Sequence, residues 1–163
     1  MNTRGALLLA ALLLVTMWFY WQDLQQTRKG GEPWVSTIVT VEEVQALEWV
    51  KNNTLERTVF ASDIFGGEQL MGGALREGTE GGDWAIIPNV VQRMVDVDEI
   101  FNTPNAERAW KLAKQYNASF VWAPNRQVFA GFGWKEIARE KFNNSTYFER
   151  VYTESGMEIY QVK

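Results

Sequence analysis

At 163 residues, 46% hydrophobic and 13% aromatic, the chain is long enough for one domain with a real core and too apolar to be disordered. It has no histidine and no cysteine, which excludes Ser-His-Asp triads, imidazole and thiolate metal sites, disulfides and cysteine nucleophiles. The net charge of −4 is spread without a basic block, which argues against a nucleic-acid partner.

The first element is GALLLAALLLVTMWFYW, Gly5 to Trp21, which carries no charge. As a helix it would span roughly 26 Å, the short end of a membrane crossing. Trp18, Phe19, Tyr20 and Trp21 suit an interfacial aromatic belt. Arg4 and the terminal amine precede the run, so the positive-inside rule puts the N-terminus in the cytoplasm and the rest of the chain outside. A cleaved signal peptide would need small residues after the apolar run, and the bulky, polar WFYWQDLQQ stands there instead. The expected organisation is an anchor over 1–21, a juxtamembrane linker over 22–39 containing Lys29-Gly30-Gly31-Glu32-Pro33, and an extracytoplasmic domain over 40–163. A mildly acidic outer domain without cysteine suits an archaeal or bacterial surface.

Thr40-Val41-Glu42-Glu43 reads as a capping box opening a helix that ends near Lys51-Asn52-Asn53. TVFAS, 58–62, reads as a buried strand. Gly67 to Arg76 has helical spacing, and WAII, 84–87, reads as the next strand, stopped by Pro88. Val90 to Phe101 reads as a loop with a short helix. Thr103 with Pro104 marks the start of another helix. SFVWA, 119–123, reads as a strand and 134–141 as a short helix. Residues 147–153 and 157–162 form a hairpin around Glu154-Ser155-Gly156. This alternation predicts an α/β fold: a single mixed, partly parallel sheet with packed helices and a C-terminal hairpin.

Seven of the thirteen glycines fall between Gly66 and Gly82. A helix N-terminus after a strand is the right place for a phosphate, but no GxGxxG is present. Gly67 to Ala74 has P-loop glycine spacing without its Lys or Ser/Thr. A tight turn with close helix–sheet packing explains the glycines without a ligand. A surface site at the strand's carboxyl end would instead use Asp63, with Arg76, Glu77, Glu80 and Asp83 nearby. No cofactor is implied. Asp96-Val97-Asp98 is a D-x-D, a weak candidate for metal, and more readily an acidic first turn of a helix. Sequons begin at Asn52, Asn117, Asn143 and Asn144. Asn52 and Asn117 also suit helix C-termini.

Three stretches, VQALEWVKNNTLERTVFASDIFGG, ERAWKLAKQYNASFVWAP and YFERVYTESGMEIYQV, together resemble the extracytoplasmic C-terminal domain of archaeal multi-spanning glycosyltransferases, the oligosaccharyltransferase-like and protein-mannosyltransferase-like enzymes that use lipid-linked sugars. The resemblance covers about residues 40–163. It implies an acceptor-facing loop at Asp63, Gly66 and Gly67, with Arg76 and Asp83 behind it, and a multi-spanning partner. Oligosaccharyltransferases carry Trp-Trp-Asp-Tyr-Gly at this place; here Ser62-Asp63-Ile64-Phe65-Gly66 keeps only an Asp and a Gly, spaced one residue differently. The family's catalytic carboxylates lie between early transmembrane helices, and this chain offers one span. Two readings stay open: an accessory or split-off domain of such a transferase, not catalytic alone, or a glycosylated surface protein that self-associates.

Overall fold

The computed structural model describes residues 3–35, 38–81 and 88–163. The expected strand at 84–87 and the candidate Asp83 lie outside them. The chain divides into two units, 1–37 and 38–163.

The first unit is one helix, α1 (Thr3–Val35). It continues through Gln22–Val35, within the stretch read as a juxtamembrane linker. Gln, Leu, Lys and Arg are good helix formers, and Pro33 falls in the last turn, where it removes only one backbone bond. Leu12, Leu14, Met17, Trp18, Phe19 and Tyr20 are all exposed on it. Among the described residues, no helix is long and apolar enough to cross a membrane.

The second unit is a mixed α/β fold. Helix α2 (Val41–Asn53) starts with the expected capping box: Thr40 Oγ1 accepts the Glu43 N–H, and Glu43 Oε2 accepts the Thr40 N–H. Strand β1 (Val59–Ala61) leads into α3 (Ile64–Ala74) and the two-residue strand β2 (Glu77–Gly78). Helices α4 (Val90–Asn102) and α5 (Ala106–Gln115) precede β3 (Phe120–Ala123). Strands β4 (Val128–Phe129) and β5 (Trp134–Lys135) pair as a small separate sheet. A 3₁₀ helix (Arg139–Asn143) and the hairpin β6 (Phe148–Glu154) and β7 (Met157–Val162) close the chain.

The main sheet runs β2-β1-β3-β7-β6. Strands β2, β1 and β3 are parallel; β7 and β6 run antiparallel. Side chains alternate across it. Ala61, Val121, Ala123 and Tyr160 pack with Val97, Ile100 and Phe101 of α4 and Leu112 of α5. Phe60, Trp122 and Ile159 pack on the other face with Ala46 and Val50 of α2 and Leu70 of α3. Helices therefore cover both faces.

Three local expectations are corrected. Residues 90–102 form a full helix, because Val97, Ile100 and Phe101 are completely buried at helical spacing. Residues 134–141 are a strand and a 3₁₀ turn, because Trp134 stacks on Phe65 and the Ala138 N–H bonds the Phe101 carbonyl rather than continuing a helix. Helix α5 is capped by Asn105, whose side chain accepts the Arg108 N–H, and not by Thr103.

Candidate functional site at the carboxyl ends of the parallel strands

The carboxyl ends of β2, β1 and β3 meet at one rim, where ligands bind in open α/β sheets. Asp63 follows β1 and caps α3: its Oδ1 accepts the Gly66 N–H at 2.9 Å. Arg126 follows β3 and reaches Asp63 at 2.7 Å and Glu43 of α2 at 3.0 Å. Both carboxylates are fully buried, and the arginine side chain is 8% exposed. Asp63 Oδ2 also accepts the Phe129 N–H, which fixes the β4–β5 hairpin over the rim. Glu43 further accepts from Gln69 and Trp122. Burial works against the charge of Arg126, and the two carboxylates outweigh it and raise its pKa. With all three groups paired and bonded, the cluster acts as a frame joining α2, α3 and the β3–β4 loop.

Above the frame lies an aromatic shelf. Phe65 stacks on Trp134 at 5.4 Å, Phe129 leans on both, and Arg126 sits over the Phe65 ring. All three rings are half-buried. Phe132, at the turn of the hairpin between Gly131 and Gly133 at positive φ, is exposed. Sequence reasoning missed Arg126 and this shelf, although the position of Pro124-Asn125-Arg126 just beyond a buried strand was a readable signal.

Glu80, after β2, is 3% exposed, and neither of its oxygens has a hydrogen bond among the described residues. Burial first, then the charges of Asp63 and Asp98, push its pKa up to about 9, with Arg93 pulling the other way. It is therefore a neutral carboxylic acid at pH 7.

Gly66 and Gly67 serve packing. A side chain on Gly66 would meet the Trp122 ring and the Asp63 carboxylate, and one on Gly67 would run into the Glu80 carbonyl. The N-terminus of α3 is occupied by its own Asp63, so an approaching phosphate would meet a carboxylate.

The other sequence candidates lie elsewhere. Arg76 is buried at the amino end of β2, donating to Thr54 Oγ1 and to the Thr54, Lys51 and Ala74 carbonyls, so it closes the ends of α2 and α3. Asp96 and Asp98 lie inside α4 rather than in its first turn. Asp96 accepts from Gln92, Gln115 and Tyr116, and Asp98 pairs with Lys135 at 2.5 Å. Among the described residues, no group of acidic side chains could hold a metal ion. Asn52, Asn117, Asn143 and Asn144 are all exposed.

The fold has a counterpart of known structure. It is similar to the crystal structure of the C-terminal globular domain of the oligosaccharyltransferase AfAglB-S2 from Archaeoglobus fulgidus, with a TM-score of 0.58 and 16% identity over 78% of this chain and 100% of that one. No protein-family profile and no curated protein sequence matches the chain.

Proposed function

We propose that the chain is a membrane-anchored, extracytoplasmic domain, accessory to or split from a lipid-linked-sugar glycosyltransferase, that contacts the acceptor or a multi-spanning catalytic partner. The observation that carries this is coverage: the likeness spans the whole of a domain that, in its own protein, is the C-terminal globular part of an oligosaccharyltransferase. The uncharged run Gly5–Trp21, with its exposed apolar and aromatic side chains, supports the anchor and an N-terminus in the cytoplasm. The aromatic shelf and Phe132 are the contact surface, because an exposed aromatic on a rigid frame is what partner surfaces select. Asp63, Gly66 and Gly67 support that surface from beneath.

A photo-crosslinking residue in place of Phe132, tested in the native membrane, should capture a multi-spanning membrane protein. The same residue in place of Leu55, 82% exposed before the amino end of β1, should not. Equal capture at both positions, or none at Phe132, would refute the contact.

A further inference from the structure

The four sequons are equivalent in sequence and different in structure. Glycan transfer needs a reachable carboxamide nitrogen and a reachable hydroxyl two residues on. Asn52 lies in the last turn of α2, with Nδ2 on Glu48 at 3.3 Å. Its hydroxyl residue, Thr54, is committed: Oγ1 donates to the Val50 carbonyl and accepts from Arg76 Nε, both at 2.8 Å. Asn117 sits in a left-handed turn at φ 55°, and the Ser119 N–H is already bound to the Val59 carbonyl at 2.9 Å, at the start of the sheet. Asn143 is part of the 3₁₀ helix.

Asn144 is built differently. It leaves the 3₁₀ helix with extended backbone, and its Oδ1 accepts the Thr146 N–H at 3.1 Å. This Asx-turn brings the carboxamide and the threonine of the sequon to the same side of one tight loop. Asn144, Ser145 and Thr146 are all exposed. Neither Asn144 Nδ2 nor the Thr146 hydroxyl has a hydrogen-bond partner among the described residues.

We propose that Asn144 is N-glycosylated, because its carboxamide folds in an Asx-turn onto its own hydroxyl residue. The proposal rests on the reading that this domain faces outward. The donor is a sugar on a polyisoprenyl phosphate. A bond forms between Asn144 Nδ2 and the anomeric carbon, and the bond from that carbon to the phosphate oxygen breaks. The lipid phosphate leaves with the electron pair, and the carboxamide gives one proton to a base of the transferase. A glycan here would stand at the start of β6, the last strand of the main sheet, and would hinder pairing of that edge with another chain.

The test uses the full chain purified from its native membrane, with peptide mass spectrometry over each sequon. Intact cells are labelled in parallel with a membrane-impermeant amine reagent, which reads whether Lys51 and Lys111 face outward. A glycan mass is expected on the peptide holding residues 143–146. It should be lost in Asn144→Gln and Thr146→Ala, and kept in Asn143→Gln, Ser145→Ala and Asn117→Gln. A glycan on another sequon with Asn144 bare overturns the proposal. So does an unmodified domain whose lysines are labelled from outside, with the outward topology left standing. An unmodified, unlabelled domain overturns the topology and the proposal together.

Discussion

Two buried ionisable residues give the domain a pH dependence with a distinctive shape. Glu80 titrates near 9 when folded against about 4.5 when exposed, so between these values the folded state holds the extra proton. Stability therefore falls as pH rises across that window, by at most about 1.4 kcal/mol per unit. Lys141 donates to the Phe101 and Ala138 carbonyls, and burial lowers its pKa to about 7 from 10.5. Between those values the unfolded state holds the extra proton, so stability rises with pH. The two slopes oppose each other from about pH 7 to 9. Glu80→Gln should flatten the decline between pH 5 and 7 and uncover a rise above 7; Lys141→Met should instead extend the decline to about pH 9. Urea midpoints of the detergent-solubilised chain across this range would show it, and parallel profiles for all three proteins would refute it. The glycines divide as sharply. Gly67→Ala should destabilise by about 3 kcal/mol or more, because the methyl meets backbone on β2's extension. Gly72→Ala, on an open face of α3, should stabilise by about 0.5–1 kcal/mol. A glycine-rich run was legible in the sequence. Which of its members touch the sheet was not, because that depends on where residues 78–81 pass.

At the scale of elements, Arg126 joins pieces that are distant in sequence. Its partners Asp63 and Glu43 are 63 and 83 residues away. Arg126→Met would leave two buried carboxylates uncompensated and should cost about 3–5 kcal/mol. Asp63→Asn keeps an oxygen to cap α3 and should cost clearly less. The order of the two urea midpoints decides the matter, and Asp63→Asn falling below Arg126→Met would contradict the frame. The same contrast explains what the sequence revealed. The Thr40 capping box, the strands at 59–61 and 120–123 and the closing hairpin carry their signals within a few residues, and they are where expected. The 134–141 segment carries a helical pattern too, yet its Trp134 is claimed by Phe65 and its Ala138 N–H by Phe101. Asp63 and Arg126 both stand just past a strand end, a local signal. Their pairing was not legible, because no local pattern encodes a contact 63 residues away.

For the whole molecule, the fold and the proposed function stand on different supports. The mixed sheet covered on both faces, and its likeness to an oligosaccharyltransferase C-terminal globular domain, are structural findings. The anchor, the outward topology and the partner are proposals from the apolar N-terminal run, the aromatic rim and the extent of that likeness. They predict a chain that works beside a catalyst rather than as one. The most direct test is mild-detergent purification of the full chain from its native membrane, with mass spectrometry of everything that accompanies it. The expected result is a multi-spanning glycosyltransferase recovered in near-equal amount. Recovery of the chain alone, or only with copies of itself, would contradict the accessory role and leave a surface protein that shares the fold.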